Sequence, residues 1–220
     1  MEAQVAPGAK AERLYERLKA DLVTGRLTPG QRLSEASLSR EYGVSRSPIR
    51  EATIRLETEG LMERHGMVVR VRERGPEEIV DIYRARVFLE GALAADAAVR
   101  HRDLDILRLE RAVAAEARVD PADAGEMMRA NREVHDALAA AAHNVTLADL
   151  QQRLTAQVTT LPATTLSYPG RWEEARAEHR RLLEVVRARD AETARVVAEG
   201  HLARARDLRL RLFGADPEPR

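Results

Sequence analysis

Three histidines sit inside stretches of helical pattern and among apolar neighbours: His135 beside Val134 and Leu138, His179 before Leu182 and Leu183, His201 between Val197 and Leu202. Imidazoles carried on three different helices can converge in the core of a bundle and there bind a divalent metal. Asn131 lies four residues before His135, so the two side chains share one helical face. Against this stands the ordinary fate of a helical histidine, a polar residue at the edge of a core. The chain has no cysteine, so a metal must sit on His, Asp, Asn or Glu. A second chemistry is suggested by "GVSRSPIREA", residues 43–52, where Arg46 and Arg50 stand one turn apart beside Ser45 and Ser47. The arginine fork can bond O6 and N7 of guanine, and serine hydroxyls near a helix N-terminus suit phosphate oxygens. The plainer alternative makes both arginines surface residues paired with Glu41 or Glu51.

The elements that must position these groups fall into two sets. Leu14, Leu18, Leu22 and Val23 mark a first helix, ended by the Gly25, Pro29 and Gly30 of "TGRLTPGQRL". A short helix capped by Ser34 follows, Gly43 supplies a turn, and a third helix runs to Gly60. "LMERHGMVVRVRE" then shows two β-type runs around His65 and Gly66, which a hairpin would place at its tip. Three helices and a hairpin describe a winged helix-turn-helix, over residues 1–75. In that arrangement the second helix of the pair enters the major groove of DNA, and Arg46 and Arg50 fall at its start.

Beyond the polar hinge "ERGP", residues 76–220 read as helix throughout, in segments near 77–99, 102–117, 121–142, 146–161, 171–188 and 191–212. Asp120 and Asp190 are the expected N-caps, Pro121 sits at a first turn, and "PATTLSYPG" is the one long interruption. The fold class is therefore mainly α: a winged helix-turn-helix followed by an all-helical antiparallel bundle. His101 and His143 lie near helix ends and read as surface residues. Tyr83 reads as a packing residue.

With 220 residues, 44% of them hydrophobic, the chain can bury a proper core. Its formal net charge is zero, and residues 1–75 carry 14 Lys+Arg against 11 Asp+Glu. That excess is too small to argue nucleic-acid binding, so specific contacts must carry the case. There is no signal-peptide pattern and no apolar run of membrane-spanning length, and the expectation is a soluble, cytoplasmic protein without a membrane partner.

The run "LTPGQRLSEASLSREYGVSRSPIREA" (27–52), with Tyr15, Leu18 and Gly25 before it and "LETEGL" (56–61) after it, closely resembles the DNA-binding domain of the GntR family of bacterial transcription regulators. The resemblance implies that Arg46, Ser47 and Arg50 contact an operator, with Ser45 at the helix start and His65 and Gly66 at the wing. Many members carry an arginine where this chain has Glu35 to Ser37. The stretches "YRARVFLE" (83–90), "NREVHDALAAAAHN" (131–144) and "EHRRLLEVVRARDAETA" (178–194), with His201, resemble the ligand-binding domain of the FCD group, in the FadR-like branch of that family. This implies Asn131, His135, His179 and His201 as ligands of a divalent metal, zinc ahead of nickel or manganese. A small organic acid would bind beside it as effector, with Arg86 taking a carboxylate oxygen. An i,i+4 ion pair of Arg86 with Glu90 is the local alternative.

Three neutral imidazoles and a neutral amide would leave the ion its full double charge, which favours an anionic effector. The function so implied is that of a homodimeric regulator on a palindromic double-stranded operator, a repressor relieved by its effector and not an enzyme. Two rivals are a metal-dependent hydrolase, since three histidines with open positions also describe a hydrolytic zinc site, and a regulator whose metal is purely structural. The hydrolase lacks an H-E-x-x-H arrangement and leaves the first 75 residues unexplained.

Overall fold

The computed structural model describes residues 7–159 and 164–214. It divides into two compact units, residues 1–75 with 156–162, and residues 76–155 with 163–220. The first unit contains helix α1 (Pro7–Val23), strand β1 (Arg32–Ser34), helix α2 (Glu35–Tyr42), helix α3 (Arg46–Thr58) and the strands β2 (Met62–His65) and β3 (Val68–Val71). Leu14, Leu18 and Leu22 of α1 are buried with Leu38, Ile49, Leu56 and Val69, which is the stripe that the leucine spacing predicts.

Local chemistry fixes the helix-turn-helix. The Ser34 hydroxyl accepts from the Ser37 amide at 3.0 Å while Ser37 Oγ accepts from the Ser34 amide at 3.0 Å, so two otherwise orphaned donors at the start of α2 are satisfied reciprocally. Gly43 ends α2 in the left-handed conformation, φ +67°, which a side chain would resist. Gly66, φ +63°, turns the hairpin tip between His65 and Val68, which pair across the two strands.

The hairpin is not alone. β1 pairs antiparallel with β3, Leu33 opposite Val69 and Ser34 opposite Val68, giving a three-stranded sheet in the order β1-β3-β2. Three residues within a Gly/Pro-broken stretch are too few to show strand alternation, so the expected hairpin gains a strand that periodicity does not mark.

In the second unit the described elements are all helical: α4 (Pro76–Arg100), α5 (Asp103–Ala115), α6 (Ala124–Ala141), α7 (Val145–Thr159, whose residues from Ala156 on belong to the first unit), α8 (Arg171–Arg187) and α9 (Ala191–Gly214), with 3₁₀ turns at Glu116–Arg118 and Thr165–Ser167. The expected start of α6 is corrected. Asp123 is its N-cap, accepting from the Glu126 amide at 2.9 Å, whereas Asp120 accepts from the Ala122 amide within a preceding turn that contains Pro121. Two aspartates three residues apart compete for the role, and the turn claims the first. Asp190 does cap α9, through the Thr193 amide. His101 is a second correction: it is buried, and its carbonyl accepts from Arg189 Nη2 at 3.2 Å. His143 is exposed, as expected, with its Nε2 2.8 Å from Asp105. No described helix is long and apolar enough to cross a membrane.

The bundle core is built of small residues. Ala94, Ala97, Ala98, Ala141, Ala194 and Val186 are all fully buried in one cluster. Such a core has no room to absorb added volume. Ala94→Leu is expected to destabilise this unit by about 1–3 kcal/mol, the usual cost of overpacking. Urea unfolding followed by the fluorescence of the single tryptophan, Trp172, which is buried in this same unit, measures it.

Candidate metal centre and nucleic-acid interface

α6, α8 and α9 bring His135, His179 and His201 together: ring centroids stand 5.4, 5.2 and 4.7 Å apart, and one nitrogen from each lies within 4.8 Å of the other two. The orientation of each ring is set by a glutamate. His135 Nδ1 bonds Glu90 of α4, His179 Nδ1 bonds Glu116 at 2.7 Å, and His201 Nδ1 bonds Glu178 at 2.6 Å. A carboxylate that accepts from Nδ1–H keeps the proton on that nitrogen and leaves the Nε2 lone pair free, the arrangement in which protein imidazoles bind metal. His179 Nε2 is buried and has no protein partner, and neither has Asn131 Oδ1, one turn before His135. Two orphaned buried acceptors beside three oriented rings fit a cation, so these residues could hold a metal ion.

Burial favours the neutral form of two of the rings. Burial pushes the His179 imidazole down and the His201 imidazole down to about 3, although Glu116 and Glu178 pull the other way. Burial would raise the Glu90 carboxyl, but His135, Arg86 and Gln151 outweigh it and hold Glu90 at about 2. Glu178 is likewise opposed by burial and held at about 2 by His201 and Arg171. A glutamate stands behind every imidazole, so the charge around the cluster is not set by the three rings and Asn131 alone. Sequence spacing hides the roles of these groups: Glu90 and Glu116 stand 45 and 63 residues from their histidines, and although Glu90 and Glu178 both lie in quoted motifs, Glu90 serves His135 rather than Arg86 and Glu178 serves His201 rather than its neighbour His179.

Arg86 is buried on the same helix as Glu90, over the Tyr83 ring with its guanidinium carbon 5.2 Å from the centroid. The i,i+4 pair with Glu90 is not formed, since the Glu90 oxygens are taken by His135 and by Gln151 of α7. Arg86 Nε is left without a partner. Arg171, also absent from the sequence reading, is 1% exposed and donates to Glu178 at 2.9 Å. Tyr83 is buried beneath Arg86.

In the first unit Ser45, Arg46, Ser47, Arg50, His65 and Gly66 are all exposed. Ser45 is the N-cap residue of α3 but its hydroxyl makes no cap bond. Ser47 Oγ donates to Glu51 at 3.0 Å, and His65 Nε2 lies 3.2 Å from Glu63. The expected neighbours do not hold the arginines. Glu41 binds Arg26, and Arg50 Nε donates instead to Glu35, the first residue of α2, at 3.4 Å.

Two outcomes follow from this geometry. Glu116→Gln keeps the shape of the pair but removes the charge behind His179, and is expected to weaken zinc affinity about 10–100-fold, measured by competition with a chromophoric chelator. Acid stability of the chelator-treated protein gives the second. His201 binds its proton less readily folded than unfolded, so stability falls as pH drops below about 6.5, the ordinary imidazole value. Glu90 and Glu178 bind theirs less readily too, so a further loss begins near the ordinary carboxylate value of 4.5 and continues toward 2. Trp172 fluorescence across a pH series checks both stages.

Comparison with known proteins places these two units. Residues 10–69 match the model of the bacterial regulatory proteins of the gntR family, and residues 81–204 match that of the FCD domain. The chain is 31% identical to YdhC, an uncharacterized HTH-type transcriptional regulator of Bacillus subtilis, over 82% of each protein. It is 29% identical to the Uxu operon regulator of Haemophilus influenzae, over 91% of this chain and 81% of that one. Among solved structures, McbR/YncC of Escherichia coli superposes with a TM-score of 0.75 at 22% identity, covering 93% of this chain and 98% of that one, a likeness of fold. These are regulators rather than enzymes, and the hydrolase alternative finds no support among them. A winged helix-turn-helix matching one model, joined to a histidine-bearing bundle matching the other, makes this chain a DNA-binding transcriptional regulator of the GntR family with an FCD domain.

Proposed function

We propose that the chain is a homodimeric repressor that releases a palindromic operator when a small carboxylate binds beside a divalent metal, zinc ahead of nickel or manganese. The observation that carries this reading is the convergence of three imidazoles whose Nδ1 atoms are each held by a glutamate, next to the unpartnered Asn131 Oδ1. His135, His179, His201 and Asn131 hold the metal, which supplies a Lewis-acid centre for a carboxylate oxygen. The three glutamates fix the rings. Arg86, buried with a free Nε, donates to a second carboxylate oxygen and sets the acid's orientation. Because glutamates temper the charge of the centre, Arg86 carries more of the selectivity for anions than a bare dication would leave to it.

Ser45, Arg46, Ser47 and Arg50 meet the major groove, Arg46 and Arg50 at base edges, while His65 and Gly66 approach the neighbouring groove from the wing. Two copies related by a twofold axis then read two half-sites.

Calorimetry on chelator-stripped and zinc-reloaded protein, across mono-, di- and hydroxy-carboxylates, tests the effector site. The loaded protein is expected to bind the best acid more tightly. Arg86→Ala is expected to weaken that acid by about 1.5–3 kcal/mol, the worth of a charged hydrogen bond, while zinc affinity stays. Asn131→Asp is expected to tighten zinc and weaken the acid. Equal acid affinity in stripped and loaded protein, or tighter acid binding by Asn131→Asp, removes the reading.

A further inference from the structure

Arg50 and Arg46 lie one turn apart on the exposed start of α3, yet the fold treats them differently. Arg46 makes no ion pair among the described residues. Arg50, although its side chain is 62% exposed, is held from behind: its Nε donates to Glu35 Oε1 at 3.4 Å. Glu35 is itself only 12% exposed, and the same oxygen accepts from Arg64 Nη1 at 3.1 Å. Arg64, on β2, is fixed in turn, with Nη2 2.6 Å from Glu57 and 3.1 Å from the buried hydroxyl of Thr53, and Nε 3.0 Å from Glu57. A chain of charge-assisted bonds thus runs from Glu57 through Arg64 and Glu35 to Arg50, tying the wing strand, α2 and α3 together. Its last member is the most exposed of the four.

The consequence is geometric. A guanidinium has five N–H donors in a rigid fork. With Nε bonded to Glu35, the four on Nη1 and Nη2 remain, and the end-on edge, one N–H from each, is left open. Arg50 is presented end-on, as a two-pronged donor fit for the O6 and N7 pair of a guanine. Its long side chain is also ordered before any ligand arrives, so less freedom is lost on contact. Arg46, unheld, can swing between phosphate and base edges and discriminates less.

We propose that Glu35 is the positioning residue for base readout by Arg50, so that sequence preference at one base pair of each half-site depends on a carboxylate that itself touches no DNA. The proposal rests on the assignment of Arg50 to the operator. It concerns specificity rather than affinity: a carboxylate near the duplex adds nothing to general attraction for phosphate, and its removal does not weaken non-specific binding.

The test is selection of the full-length protein on a library of randomised 30-base-pair duplexes, with base preference measured at every position of the enriched site. Arg50→Ala is expected to erase preference at one position per half-site. Glu35→Ala is expected to reduce preference at that same position about tenfold, leave the other positions intact, and leave affinity for an unselected duplex unchanged or higher. In the Arg50→Ala background it is expected to change nothing further. Two conservative variants guard against simple misfolding. Glu35→Gln keeps an acceptor oxygen at full reach and is expected to retain most of the preference, whereas Glu35→Asp keeps the charge but retracts it by one methylene and is expected to lose it. Wild-type preference in Glu35→Ala and Glu35→Asp overturns the inference, as does a loss spread evenly over all positions. If Arg50→Ala itself leaves every position unchanged, the assignment of Arg50 to DNA falls, and this inference falls with it.

Discussion

The second unit is organised around one convergence: three imidazoles from three helices each bring a ring nitrogen within 4.8 Å of the other two. Rings do not do this unaided, because an imidazole can rotate and can carry its proton on either nitrogen. Each is instead fixed from behind by a glutamate. Glu90, Glu116 and Glu178 come from α4, the turn after α5 and α8, so every element bordering the cluster is recruited to hold it. The arrangement carries a burden. Glu90 and Glu116 are as buried as core leucines, and a buried carboxylate is tolerable only when bonded and balanced. Arg86 beside Glu90 and Arg171 beside Glu178 supply that balance for two of the three. Packing the unit with alanines lets the helices approach closely enough for these bonds to form.

The first unit solves a similar problem at the surface. Its reading residues must be exposed, and exposed side chains are mobile. The fold meets this by anchoring selected groups on partly covered neighbours, with Arg64 as the hub between the wing and both helices of the pair. In both units a functional side chain is oriented by a carboxylate contributed from a different element.

That shared device explains what was and was not legible in the sequence. Helix stripes, glycine stops and the serine cap are local signals, and they located α1 to α3, the hairpin and the bundle helices with small errors at their ends. The histidines of α6, α8 and α9 were visible because helical spacing and apolar neighbours mark them. Glu90, Glu116 and Glu35 were not, since each acts on a residue 15 to 63 positions away, and an isolated glutamate on a helix carries no local sign of its partner. β1 escaped because three residues cannot display a period. Asp120 misled because the same residue type opens turns and caps helices. His101 misled because a position next to a helix end says nothing about what packs over it.

Ser34 occupies a junction whose mechanical meaning goes beyond capping. It is the last residue of β1, paired with Val68 of the wing, and its hydroxyl closes the first turn of α2. The next residue is Glu35. A force that tilts the hairpin is therefore delivered through the pairing of β1 with β3, and through Arg64, to the start of α2 and the carboxylate bonded to Arg50. On the proposed assignment of Arg50 to the operator, the wing and the reading arginine are mounted on one arm, and contact at the tip and alignment of the guanidinium become one displacement, not two.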